Sequence, residues 1–266
     1  MEGGKLMEVV IMANGDYDRF EELLLQREQL EKEAMELEMA YRREFGERMV
    51  EAYQLKIDCI ALKKSISFCQ TSKNRGENVD EDEMRAVIER QMSAYRKRLE
   101  KMVSENKASR IVKAISAYQV HEIKKIYRRI VKMLHPDINT LTQDHPDLMD
   151  LFQRAMKAYR RNSLKDLQEI EVLINKFLRD QGIIRVECTI PNLQEHILEL
   201  EEEIEYILTH EPYLYRDLLD DPDQVEALKK KLNEEIESYK DYKVRLTKAL
   251  ETILDGGEVD WKTIMN

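Results

Sequence analysis

The chain has 266 residues, room for one or two domains, and a formal charge of −10. Charged residues make up 36% of it, against eight Gly and five Pro, a mixture typical of long helices and coiled coils rather than of a compact α/β enzyme. The acidic total argues against a nucleic-acid binder, and no stretch approaches the roughly 20 apolar residues of a membrane span.

The first residues, MEGGKLMEVVIMANGDYD, hold a short apolar run without a basic flank and long apolar core, so no signal peptide is expected and the cytoplasm is the default location. From about Asp16 to Ser72 the pattern is that of one long helix. Phe20, Leu23, Leu30, Ala34, Leu37 and Tyr41 form a seam, and Phe45, Met49, Ala52 and Cys59 restart it after a slip in register. Ser72 to Asn78 breaks the pattern. A second helix starts near Asp80, where the acidic run DEDE suits a helix N-terminus better than acid–base chemistry. Ala86, Ala94, Leu99 and Val103 lie along it, and the two helices suggest an antiparallel hairpin.

The stretch EIKKIYRRIVKMLHPDIN changes character. Ile123, Ile126, Tyr127, Ile130, Val131 and Leu134 fall on one apolar helical face. Lys124, Lys125, Arg128, Arg129 and Lys132 fall on the other. Over residues 121–137 these five cations against Glu122 and Asp137 leave a net +3 inside an acidic chain. Pro136 pushes His135 out of the α region, so the helix should end there and set His135 and Asp137 in a loop. The triplet His-Pro-Asp recurs at residues 145–147, where Asp144 or His145 caps the next helix, Pro146 fits its first turn and Asp147 favours its dipole. That helix carries Leu148, Leu151, Phe152, Ala155 and Tyr159 on its apolar face and packs antiparallel to the basic one across a loop of about ten residues.

Helix, HPD loop and a second helix with Phe152, Ala155, Ala158 and Tyr159 spaced FxxAxxAY resemble the J-domain of DnaJ-type co-chaperones over about 60 residues. Ile123, Lys124, Lys125, Tyr127, Arg128, His135-Pro136-Asp137 and Asn139 carry the rest of the likeness. The family's short first helix with its YxxLGV signature is missing, Leu134 replaces an aromatic residue, and the loop is slightly long. The segment around Ile111, Ile115 and Tyr118 is the expected source of the missing packing. The resemblance implies a protein–protein switch. Lys124, Lys125, Arg128, Arg129 and Lys132 would dock on an acidic surface of a DnaK-type ATPase chaperone, His135 and Pro136 would shape the loop, and Asp137 would accept hydrogen bonds from a partner Arg, promoting ATP hydrolysis there. The flanking coiled coils would hold a client protein or build a homo-oligomer. The alternative is a degenerate J-like scaffold without co-chaperone activity.

After Gly182, IIRVECTI alternates like a strand and is read as an extended linker or a dimer edge. Leu193, Ile197, Leu200, Ile204 and Ile207 then form a seam. Residues 186–215 contain no Lys or Arg, and their Glu199–Glu205 cluster is a candidate to cover the basic helix within the chain. A last helix runs from about Asp223 with Val225, Leu228, Leu232, Tyr239, Leu246 and Ile253 on its stripe, ending at Gly256-Gly257. Cys59, Cys69 and Cys188 lack ligand spacing and read as reduced, partly buried thiols. His135, Asp137, Asp144, His145 and Asp147 lack the i, i+4 pairing of a helical metal site, and no P-loop, dinucleotide glycine pattern or nucleophile elbow occurs. No metal, cofactor or enzymatic activity is expected. The expected fold is all-α in three parts: a long helical hairpin over 1–106, a J-domain-like antiparallel helix pair over 107–182, and a helical hairpin over 183–266.

Overall fold

The computed structural model describes residues 14–111, 116–180 and 192–259. Among them are nine helices and no strand: α1 Asn14–Asn74, α2 Glu81–Ser109, α3 Ala117–Leu134, α4 Thr140–Asp144, α5 Pro146–Arg160, α6 Leu164–Asp180, α7 Leu193–Thr209, α8 Tyr215–Asp220 and α9 Pro222–Leu254. The all-α class expected from composition is the class observed. No described helix is long and apolar enough to cross a membrane. The IIRVECTI segment, Ile115, Cys188 and Trp261 lie outside the described residues.

The helices form two compact units, and each draws on two separate stretches of chain. One is Met1–Glu36 with Lys113–Leu214; the other is Leu37–Val112 with Tyr215–Asn266. α1 serves both units in turn. The three segments read from the sequence follow chain order, whereas the compact units interleave.

In the second unit, α2 lies antiparallel to α1. Arg42 meets Glu105 at 2.7 Å toward one end and Lys64 meets Gln91 at 2.8 Å toward the other, so the numbers run in opposite directions. α9 runs parallel to α1, with Glu44–Lys229 at 2.6 Å, Glu51–Lys240 at 3.2 Å and Asp58–Lys243 at 2.7 Å. The core between them holds Ile57, Cys59, Ile66 and Cys69 of α1, Met84, Ile88 and Met92 of α2, and Leu246, Ala249 and Ile253 of α9. Both described cysteines are buried free thiols. Ala86 and Ala94, expected on the seam of α2, are exposed. The longer Met84, Ile88 and Met92 take the inner face at i, i+4 and i+8, because they remove more apolar area from water than alanine can. Asp80 caps α2 by accepting the Asp82 and Glu83 amides, both at 3.0 Å, as the acidic run suggested. Asp221 caps α9 in the same way, followed by Pro222 in the first turn.

Gly46 sits inside α1, buried at the crossing with α2. A Cβ there would stand 2.9 Å from Asn106 Cγ and closer still to its Oδ1. The glycine therefore allows the side chain of α2 to lie against the backbone of α1.

In the first unit, α3 and α5 run antiparallel, with Tyr127 facing Tyr159 and His135 facing Phe152. The six apolar residues expected on the inner face of α3 are all buried, and each aliphatic one contributes roughly 1.5–3 kcal/mol. Phe20, Leu23, Leu24 and Leu30 of α1, Leu167, Ile170 and Ile174 of α6, and Leu193, Ile197, Leu200 and Ile204 of α7 complete this core. The packing expected from Ile111 and Tyr118 comes from α1 instead: Ile111 is 77% and Tyr118 72% exposed.

The run read as helical from residue 148 onward breaks at Asn162, which adopts a left-handed φ of 56°. The Asn162 amide donates to the Tyr159 carbonyl at 3.1 Å and the Ser163 amide to the Ala158 carbonyl at 2.9 Å, a Schellman ending for α5. Ser163 Oγ then accepts the Asp166 amide at 3.4 Å and starts α6.

Candidate functional site

α3 opens with a capping box. Ser116 Oγ accepts the Gln119 amide at 3.2 Å, and Gln119 Oε1 accepts the Ser116 amide at 3.1 Å. The helix closes at His135, whose amide still donates to the Val131 carbonyl at 2.9 Å while its backbone turns extended at φ −59°, ψ 124°. That is the conformation Pro136 imposes on the residue before it. The His135 carbonyl accepts the Ile138 and Asn139 amides at 2.9 and 2.8 Å. Asn139 is fully buried and donates Nδ2 to the Met133 carbonyl at 2.6 Å, satisfying an end carbonyl of α3. Gln143 donates to the Pro136 carbonyl at 3.0 Å.

The imidazole of His135 faces inward. It is 4% exposed and stands edge-on to the Phe152 ring at 5.2 Å. Its Nδ1 accepts the Asp137 amide at 3.2 Å, which assigns the proton of the neutral ring to Nε2. Burial holds its pKa below the ordinary histidine value, outweighing the Asp137 carboxylate 3.7 Å away. The side chain of Asp137, in contrast, is 56% exposed. One residue of the triplet thus shapes the loop from inside, and the other presents a carboxylate to solvent.

On the outer face of α3, Lys125, Arg128, Arg129 and Lys132 are exposed and Lys124 is half-buried. Arg129 makes a two-pronged pair with Glu171 of α6 at 2.6 and 3.0 Å, and Lys132 pairs with Glu21 of α1 at 2.6 Å. Among the described residues, Lys124, Lys125 and Arg128 form no ion pair. The acidic stretch of α7 does not cover this face. Glu201 pairs with Arg19 and Glu203 with Arg27, each at 2.9 Å, and Glu199 meets His196 at 3.1 Å. The apolar seam of α7 turns Glu201 and Glu203 toward α1, and no described ion pair joins the acidic stretch to α3, the candidate partner in the sequence.

A buried polar cluster joins α1 to α3 and α5. Tyr127 donates its hydroxyl to Glu28 Oε2 at 3.2 Å and stacks on Tyr159 with ring centres 4.0 Å apart. The Lys32 ammonium lies 4.1 Å over the Tyr159 ring and bonds the Asn162 carboxamide oxygen. Glu31 pairs with Arg160 at 2.7 Å. Burial raises the pKa of the Tyr127 hydroxyl, pushes that of Tyr159 up to about 12, and depresses that of the Lys32 ammonium. This cluster was not expected from the sequence. Its sign was the seven-residue step from Leu23 to Leu30, where Arg27 and Glu28 occupy the missing seam positions.

The second triplet has a different place. His145 is the N-cap of α5, Pro146 its first residue, and Asp147 lies in its first turn. The backbone is that of a helix start, but the His145 side chain makes no cap hydrogen bond and instead stands edge-on to Phe177 at 5.7 Å. Among the described residues, no three His, Cys, Asp or Glu gather as metal ligands. No protein-family model, curated protein or solved structure matches the chain.

Proposed function

We propose that the chain is a J-like co-chaperone that docks on a DnaK-type ATPase chaperone and stimulates its ATP hydrolysis. One observation carries this reading: an exposed Asp137 stands at the end of a basic helix, on a loop whose His135 is locked against Phe152. Lys124, Lys125 and Arg128, which form no ion pair among the described residues, supply a cationic surface for an acidic partner, and such surfaces accelerate encounter as well as orienting it. Asp137 would accept charge-assisted hydrogen bonds from a partner Arg. The second unit, which comprises the later part of α1 with α2, α8 and α9, would hold the client. A scaffold without co-chaperone activity is the second reading. It is favoured by the pairing of Arg129 and Lys132 within the chain, which leaves three of the five cations for a partner.

Single-turnover ATP hydrolysis by a DnaK-type chaperone separates the two. The wild-type chain is expected to accelerate it, Asp137→Asn and His135→Gln to lose the effect, and His145→Gln to keep it. A folded wild-type chain that leaves the rate unchanged would remove the co-chaperone reading and leave the scaffold.

A further inference from the structure

Two faces of the first compact unit carry opposite charge, and no described ion pair joins them. On α3, Lys124, Lys125 and Arg128 form no ion pair among the described residues, and the exposed Tyr118 precedes them on the same helix. On α7, six Glu stand among 17 residues without one Lys or Arg. Glu195, Glu202 and Glu205 are exposed and form no ion pair among the described residues, and Leu198 and Tyr206 beside them are 60% and 62% exposed.

The two faces match in length as well as in sign. Tyr118 to Arg128 and Glu195 to Glu205 each cover ten residue steps, about 15 Å of helix. Each also combines charge with an exposed aromatic ring. The cations of α3 that are paired reach Glu171 and Glu21, and the carboxylates of α7 that are paired with arginine reach Arg19 and Arg27. Complementary surfaces that do not meet inside one molecule can meet between two.

We propose that the basic face of α3 in one copy of this chain docks on the acidic face of α7 in a second copy, with Tyr118 against the Leu198–Tyr206 patch. The contact joins unlike faces, so it either occurs twice about a two-fold axis or repeats head to tail. It rests on charge, so it weakens as salt screens it. Where the co-chaperone reading also holds, the same face of α3 serves two partners, and self-association withholds it from the chaperone. The association itself does not depend on that reading.

Sedimentation velocity of the full chain over a concentration series, at low and high salt, is the test. Wild type is expected to associate at low salt and to dissociate as salt rises. Lys125→Glu/Arg128→Glu makes both faces acidic, and Glu202→Lys/Glu205→Lys makes both basic. Each variant alone should lose at least tenfold in association constant, and mixing the two should restore it, since each then offers the face the other lacks. Recovery on mixing also shows that both variants are folded. A wild type that stays monomeric at low salt, variants that associate as wild type does, or a mixture that fails to recover would each overturn the proposal. Binding of a basic helical peptide to α7 by a strictly monomeric chain would likewise replace the second copy with a different partner. Glu202→Lys/Glu205→Lys leaves α3 intact, so its stimulation of chaperone ATPase reports on the co-chaperone reading separately.

Discussion

Replacing Tyr127 with Phe removes one oxygen from the junction of α1 with α3. The ring can stay where it is, stacked on Tyr159 at 4.0 Å, so the apolar and stacking contributions survive. What goes is the hydroxyl donated to Glu28 at 3.2 Å. Both residues are buried, Tyr127 at 2% and Glu28 at 5% exposure, so water has little access to replace it. A hydrogen bond to a charged group is worth about 1.5–3 kcal/mol. Glu28 keeps a 3.3 Å contact from Arg27 through its other oxygen, which places the expected loss nearer 2 kcal/mol than the upper limit. Urea denaturation followed by helix circular dichroism measures it. Glu28→Gln keeps an acceptor but not the charge, and the double variant closes a cycle whose coupling should exceed about 1 kcal/mol. Amide exchange should speed up first in the early turns of α1. A Tyr127→Phe stability within about 0.5 kcal/mol of wild type would refute the argument that this bond holds α1 on α3.

The pH dependence of stability carries the mark of His135. Its folded pKa lies below the ordinary histidine value of about 6.5, so the unfolded chain binds the proton first as pH falls. Its contribution is therefore full above that value and is lost as pH drops below it, toward the lower folded pKa. His135→Asn should flatten the fall in urea midpoint on the acid side of neutrality, and an unchanged slope would place the loss elsewhere. At Gly46, replacement by Ala gains about 0.8–1 kcal/mol of helix propensity but forces a Cβ onto Asn106, and overpacking costs about 1–3 kcal/mol. Gly46→Ala should therefore destabilise the chain by about 1 kcal/mol, and the same change in an Asn106→Ala background should stabilise it by about as much. A stabilised single variant would show that the crossing has slack.

The parts of the fold that were legible in the sequence are those decided by one face of one helix. The buried rows of α3 and α7 follow from apolar spacing alone, and the start of α2 near Asp80 follows from its acidic first turn. The less legible parts turn on choices between similar options. On α2 the methionines displaced the alanines from the core because side-chain volume decided between two weak stripes. The break between α5 and α6 rests on Asn162 tolerating a left-handed turn, which spacing does not register. α8, six residues between two proline-marked breaks, is too short to show a period. For the candidate site, the helix end at His135 and its basic flank were readable from Pro136 and the charge pattern. Which carboxylates would meet those cations was not, since Glu21 and Glu171 come from helices far away in sequence, and net charge favoured the wrong helix, α7.

The interleaving of the two units sets a timetable for synthesis. Asp58 on α1 waits for Lys243 on α9, 185 residues later. At about 5–20 residues per second, that interval is roughly ten to forty seconds on the ribosome. Once α2 has followed α1, the hairpin of the two still lacks Leu246, Ala249 and Ile253, leaving Ile57 and Ile66 without the third wall of their core. The nascent chain thus carries an open apolar groove from the end of α2 until α9 is made, long after helices themselves have formed. The whole of Lys113–Leu214, which belongs to the other unit, must emerge before that groove closes.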